Sequence, residues 1–475
     1  MSSNRATGGI QPGIKWGPFV IRIPFVHTKL SMPDLLQGFA ISGATGLALV
    51  PIMTSFGLSF DEAVTMAMFH SLLICSSFLF LGDPYAPGWL TPAIPFVLTF
   101  VGGVTAGSDD PNLIWQSMSA LAIDFAAILI ILGVTGLGAK LVKIVPNVFK
   151  GGIILGAAIA AFMRVTKPGD SANVFEGAAI AGTLGVAICM IFAFSKPLQE
   201  RLGDFKWLAR LASLGLLPGF VIAGVVGYFT GEFEFEITPG ILDLSATIPS
   251  LWEKTSPFSI GFPSISLFIQ ALPLAFITYI LFFGDVVTGD EMIEHAQEAR
   301  PDETLEINNS RAHMATGIRN IIMSIIAPFY PTQGVLWTGI QVILLKKWAM
   351  GRDKMDSFFD GMSSFYVFGL PILYIVLPLV TLLEPLLPLA LAVTLILTGF
   401  ACATLALSLV KDATERGAMV ITAMAFSLFP PFQGLLIGAV SIIVLCGPRV
   451  FIPGHAEDDF GPVHEHAKPQ TDSNK

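Results

Sequence analysis

Long apolar runs, separated by short polar breaks, recur along almost the whole chain and predict membrane-spanning helices. Fourteen spans are predicted, at 34–57, 62–81, 87–105, 112–137, 146–163, 176–194, 211–230, 263–284, 312–328, 331–346, 358–383, 386–409, 416–430 and 432–447. The fold class this predicts is an all-α polytopic membrane protein.

Two spans open on glycine and proline. Tyr85-Ala86-Pro87-Gly88-Trp89-Leu90-Thr91 precedes an apolar run to Val104, and Tyr330-Pro331-Thr332-Gln333-Gly334-Val335-Leu336-Trp337-Thr338 precedes one to Leu345. Both runs are too short to cross a bilayer comfortably as full helices. Interrupted spans in corresponding halves of a membrane protein point to a transporter binding site. Each break frees backbone N–H groups at a half-helix start, where the helix dipole is positive. Lipid would not tolerate such backbone, whereas a protein-lined cavity would. The alternative is two unrelated proline kinks.

Loop charge tests the span map. With an even number of spans, both termini share one side. That side collects all of the 26 Lys and Arg residues except Arg164, Lys167 and Lys254. The positive-inside rule then places both termini in the cytoplasm of a multi-pass cell-membrane protein. The chain divides into a cytoplasmic N-terminal segment (1–33), a first repeat of seven spans (34–230), an extracellular connector (231–262), a second repeat of seven (263–447) and a disordered cytoplasmic tail (448–475). Seven is odd, so the second half enters from the opposite side, as an inverted repeat, and the third span of each half is the broken one.

Composition narrows the function. Hydrophobic residues make up 53% of the chain and charged ones 13%, too little polar surface for a soluble protein of this size. Cys75, Cys189, Cys402 and Cys446 lie in or beside apolar spans without metal-ligand spacing and read as small core residues. Met1 to Leu30 has no cleavable signal pattern. No phosphate-loop, dinucleotide or nucleophile-elbow motif is present, so an ATP-driven pump or membrane enzyme has no residues to stand on. No basic stripe suggests nucleic acid. His455, Glu457, Asp458, Asp459, His464, Glu465 and His466 in the tail read as a disordered acidic segment rather than a metal site. No metal or cofactor is expected beyond a coupling proton or Na+.

Gly317-Ile318-Arg319-Asn320-Ile321, leading to Ala327-Pro328-Phe329-Tyr330-Pro331-Thr332-Gln333-Gly334, resembles the ninth and tenth spans of the superfamily of SulP sulfate permeases and nucleobase–cation symporters. Pro273-Leu274-Ala275-Phe276, through Gly284-Asp285, resembles their eighth span. Val145-Pro146 with Lys150-Gly151 resembles the opening of their fifth. The resemblance implies a seven-plus-seven inverted repeat. Spans one to four and eight to eleven would form a core that moves like an elevator. Spans five to seven and twelve to fourteen would form a gate, often a homodimer scaffold. Substrate would sit between the half-helices of spans three and ten. The chain also departs from the pattern. Leu281 stands where nucleobase symporters carry a glutamate, and Val335-Leu336-Trp337-Thr338 lacks their second acid. The arginine that some animal SulP relatives place in the tenth span is missing. Only residues 448–475 follow the last span, where SulP permeases usually append a regulatory domain.

The substrate-binding candidates are Gly88, Trp89, Thr91, Thr332, Gln333, Gly334, Trp337, Thr338 and Gln37; Ser42 and Thr45 share the first span with Gln37. Short hydroxyl and amide groups with free N–H suit an oxygen-rich anion or a planar polar ring. Trp89 and Trp337 would flank a ring, or serve only as packing aromatics. Asp285, at the predicted end of the eighth span, is the first candidate for ion coupling, against a merely solvated loop acid. Asp124, inside the fourth span, is the second. His70 reads as a packed polar residue rather than a proton relay, and Glu384 marks a loop. The function expected is secondary active transport of a small polar solute, with an anion favoured. A nucleobase-like ring is the alternative, and a channel is disfavoured for want of a continuous polar path.

Overall fold

The computed structural model describes residues 7–138, 145–201, 204–205, 207–208, 211, 216–368 and 371–451. The acidic tail, from His455 to His466, lies outside the described residues.

Helices occupy each predicted apolar run. The principal ones are α1 (Met32–Thr45), α2 (Val50–Ser55), α3 (Phe60–Leu79), α4 (Ile94–Thr105), α5 (Asn112–Thr135), α6 (Asn147–Thr166), α7 (Ala179–Phe194), α8 (Leu217–Thr230), α9 (Leu244–Thr255), α10 (Ile265–Gln297), α11 (Asn309–Ile326), α12 (Thr338–Ala349), α13 (Phe358–Met362), α14 (Leu377–Leu383), α15 (Leu387–Ser408), α16 (Ala413–Leu428) and α17 (Pro431–Cys446). Among the described residues, α3, α5, α6, α10 and the continuous α14–α15 stretch are long and apolar enough to cross a membrane; α7, α8, α17 and the Thr91–Thr105 stretch are shorter apolar helices. The chain is a multi-pass membrane protein.

Local chemistry sets several helix starts. At α3, Ser59 accepts the N–H of Glu62 at 3.2 Å, and the Glu62 carboxylate accepts the N–H of Ser59 at 2.8 Å. Asn308 caps α11 through the N–H of Arg311 at 2.9 Å, and Asp412 caps α16 through that of Thr414 at 2.8 Å.

The helices pack in two groups. In one, α5 lies along α10 and α11, α12 packs on α10, and α3 meets α11. In the other, α6 packs against α15 and α16, α16 against α17, and α7 against α8. The Thr91–Ala93 turn, which leads into α4, touches α6 and α15 across the boundary.

Three predicted spans differ in detail. The helix of the eighth span does not end at Gly284. This helix, α10, continues for 33 residues to Gln297. The acidic residues after Gly284 lower hydropathy but do not break a helix, so polarity and helix end do not coincide. The first span is divided between α1 and α2, and the eleventh near Val376, whose backbone bridges to Ile241. The connector at 231–262 contains α9, which docks on α3. There Lys254 pairs with Glu62 at 2.7 Å, and Thr65 donates to Thr247 at 2.8 Å. The described part of the N-terminal segment, from Thr7, is folded onto the helices. Strand β1 (Ile14–Trp16) pairs antiparallel with β2 (Phe19–Ile21). Trp16 donates to the Phe80 carbonyl at 2.8 Å, Arg22 N–H to the Leu79 carbonyl at 2.6 Å, and Thr304 N–H to the Gly9 carbonyl at 3.1 Å. The Arg22 guanidinium lies 3.7 Å over the Phe359 ring.

Candidate functional site

The two breaks lie side by side and antiparallel. Gly334 N–H donates to Gly88 O at 2.7 Å, Leu90 N–H to Pro331 O at 3.0 Å, and Trp337 N–H to Ala86 O at 2.6 Å. Side chains staple the pair. Gln341 accepts from Ala86 N–H at 2.6 Å, and Tyr366 donates to Pro87 O at 2.7 Å. Only glycine fits the crossing. A Cβ on Gly334 would stand 2.8 Å from Gly88 O, and one on Gly88 would stand 2.6 Å from the Trp337 Cβ.

From this crossing the two half-helices leave. The Thr91–Ala93 turn, running into α4, and α12 both begin without a side-chain cap. At α12 the first-turn N–H groups of Thr338, Gly339 and Ile340 therefore have no intrahelical or capping partner, whereas at the other start Ala93 N–H donates to Leu90 O at 3.0 Å, Ile94 N–H donates to Thr91 O, and Pro92 and Pro95 carry no N–H. Trp89, Thr91 and Trp337 are half-buried, while Thr338 and Gly339 are exposed, so these residues border an accessible opening. Trp337 packs edge-on to Phe365 at 6.2 Å between centroids.

Four predicted site residues do not face that opening. The Gly334 N–H is spent on Gly88 and is not free for a ligand. Thr332 is fully buried and donates to Phe329 O at 3.0 Å. Gln333 is buried and donates to His70 O at 3.2 Å, while its carbonyl oxygen accepts from Arg319 at 3.2 Å. A buried guanidinium demands acceptors, and Gln333 Oε1 and Gly334 O at the break supply two of them. Gly88 likewise serves the crossing. Gln37 is half-buried on α1. Ser42 and Thr45 lie where side chains are not described.

Asp285 sits in the middle of α10, half-buried. No hydrogen bond or charge partner meets its carboxylate among the described residues, and it lies near the neutral thiol of Cys402 on α15. It therefore lies toward the boundary between the helix groups. Asp124 is half-buried on α5, and its Oδ2 is buried without a hydrogen-bond partner. His70 is buried, and its Nε2 donates to Ala327 O at 2.7 Å, the packed role expected. Glu384 is exposed in the turn joining α14 to α15.

Arg319 is a correction to the charge map. The sequence groups it with the cytoplasmic loop charges, but it is fully buried within α11. Asn320 beside it donates to Gln333 O at 2.9 Å and Thr316 O at 2.9 Å. Sequence reasoning also passes over Gln341 and Tyr366; a polar residue inside an apolar run is the only signal for Gln341.

Two adjoining clefts, of about 460 and 360 Å³, lie away from the crossing. One is bordered by Ser55, Arg164, Asp170 and Glu176, and the other by Asp170, Asn173, Glu232 and Pro388. Neither includes a residue of the paired breaks.

No protein-family model matches the sequence, and no curated protein does. Three solved structures are similar. The transmembrane domain of BicA, a cyanobacterium bicarbonate transporter, is 16% identical with a TM-score of 0.48, over 87% of this chain and 99% of that one. SLC26A9 is 16% identical with a TM-score of 0.53, over 87% of this chain and 65% of that one. The murine Slc26a9 anion transporter, in an inward-facing state, is 14% identical with a TM-score of 0.49, over 88% and 68%. This chain thus spans under two thirds of the SLC26A9 chain. The three are transporters, not enzymes. At such identities the likeness is one of fold, and SLC26A9 carries it. The fold of this chain is similar to that of SLC26A9.

Proposed function

We propose that the protein is a secondary active transporter that carries a small anion between the starts of α4 and α12. The observation that carries this reading is the hydrogen-bonded crossing of the two breaks. It holds the starts of α4 and α12 side by side, with the free first-turn N–H groups of α12 at a partly exposed opening. Such a helix start favours negative charge without a basic side chain in the opening, and the dipole of α4 adds to it. In the full proposal the chain crosses the cell membrane fourteen times as a seven-plus-seven inverted repeat, with both termini cytoplasmic. The group of α3, α5, α10, α11 and α12 moves as an elevator against the group of α6–α8 and α15–α17, through which the protein dimerises. Asp285, unpartnered and near the boundary between the groups, takes up the coupling proton or Na+.

The test is uptake into proteoliposomes of purified full-length protein. Radiolabelled bicarbonate, sulfate, chloride and uracil are each offered with and without proton and Na+ gradients. Accumulation of an anion driven by one of the gradients supports the proposal. Uptake of uracil alone would favour the planar-ring alternative, for which the half-buried Trp89 and Trp337 beside the opening speak.

A further inference from the structure

Arg319 bears the full cost of burying a charge. Its relative exposure is 0%, in the middle of a helix that packs on α5 and α3. Its terminal nitrogens donate to Gln333 Oε1 at 3.2 Å, to Thr316 Oγ1 at 3.1 Å and to Gly334 O at 2.9 Å. All three acceptors are neutral. Nε has no hydrogen-bond partner. No carboxylate among the described residues lies within 4.0 Å of the guanidinium. Asp83 and Tyr366 are near enough to sense its charge. Asp83, however, is already engaged by Arg311 at 3.3 Å and by Ser77 at 3.4 Å.

A guanidinium stays protonated in proteins, so this is a fixed positive charge without a counter-ion at contact. Three hydrogen bonds to neutral oxygens engage its terminal nitrogens but do not cancel its field, and burial among apolar helices leaves that field weakly screened. The charge sits against the Gly334 carbonyl, four residues before Thr338 at the start of α12.

We propose that Arg319 is the selectivity charge of the site, a fixed cation behind the start of α12 that favours anions, and multiply charged anions most, without touching them. The assignment rests on the anion reading of the opening. It gives the site a positive bias from the ninth span, where no basic side chain stands in the breaks themselves.

The experiment uses purified full-length protein and measures dissociation constants for sulfate and nitrate by calorimetry, beside apparent melting temperatures. The variants are Arg319→Gln and Arg319→Lys. Arg319→Gln should lose at least about tenfold in sulfate affinity and clearly less for nitrate, because the interaction scales with ligand charge. Arg319→Lys keeps the charge but not the fork, and should bind both within about threefold of the wild type. A folded Arg319→Gln protein with an unchanged ratio of sulfate to nitrate affinity overturns the assignment. So does an Arg319→Lys protein that loses affinity for both ions equally, which marks a purely structural role. If Arg319→Gln is not recovered folded, Arg319→Lys decides alone. Wild-type protein that binds neither ion, nor any other anion offered, overturns the anion reading itself and the assignment with it.

Discussion

The N–H of Gly334 meets the carbonyl of Gly88 at 2.7 Å, and this bond, not a ligand, occupies the centre of the crossing. A Cβ at position 334 would stand 2.8 Å from Gly88 O and 3.1 Å from Leu90 N, both backbone atoms held by their own bonds. Gly334→Ala should therefore destabilise the fold by about 1–3 kcal/mol, the usual cost of overpacking a tight contact. The apparent melting temperature of purified protein measures it. Wild-type melting with lost anion binding would return Gly334 to the ligand site.

The breaks were legible in the sequence because glycine and proline punctuate apolar runs strongly. Their pairing was not, because the three bonds directly across it are backbone to backbone and leave no mark on side-chain type, and the Gln341 and Tyr366 that staple it come from elsewhere in the sequence. Thr332 and Gln333 looked like ligands because they are polar beside a break. Gln333 is turned inward by Arg319, which is buried although its charge reads as a loop position, and Thr332 by its own bond to Phe329 O. The end of α10 was misread for the same reason. Asp285, Asp290 and Glu291 end an apolar run but are compatible with helix, and α10 continues through them.

Thr338 is the first residue of α12, and its backbone N–H is free of intrahelical bonding. Trp337 before it is extended, at φ −105° and ψ 92°, which suits a residue preceding proline. Thr338→Pro should fold normally, since proline is favoured at the first helical position. It removes one N–H from the opening and should weaken anion binding about tenfold, the worth of one hydrogen bond to a charged group. Thr338→Val keeps the N–H and is the comparison. Equal binding by the proline variant and wild type would show that the start of α12 does not hold the anion.

Glu232 joins α8 to α7. Its carboxylate accepts from Ile180 N–H at 2.9 Å and Ala181 N–H at 2.7 Å, and these bonds hold its carboxyl below the ordinary value of 4.5. The folded state thus binds its proton less readily than the unfolded state. The stability this contributes is complete above the unfolded value and is lost as pH falls through the lower folded one. Glu232→Gln should melt below the wild type at pH 7, and the two melting curves should converge in strong acid. A gap that persists unchanged below about pH 3 would show that the amide is harmful for reasons other than charge.

Asp285 and Asp124 compete for the coupling role, and the structure separates their surroundings. Both carboxylates lack a hydrogen-bond partner among the described residues. Asp285 is on α10 near Cys402 of the other helix group, where relative motion would change its exposure. Asp124 is on α5, within one group, where such motion leaves its neighbours unchanged. A carboxylate binds a coupling ion usefully only if its environment alternates with transport. Asp285→Asn should therefore abolish gradient-driven accumulation while leaving exchange of substrate across the membrane. Asp124→Asn should keep coupling, and relief of a buried unpartnered charge should leave its melting temperature unchanged or higher. Proteoliposome uptake with and without proton and Na+ gradients separates the two. Full coupling in Asp285→Asn, with loss in Asp124→Asn, would move the role to α5. Full coupling in both would remove the carboxylates from the mechanism and leave the opening at α4 and α12 as a passive exchange site.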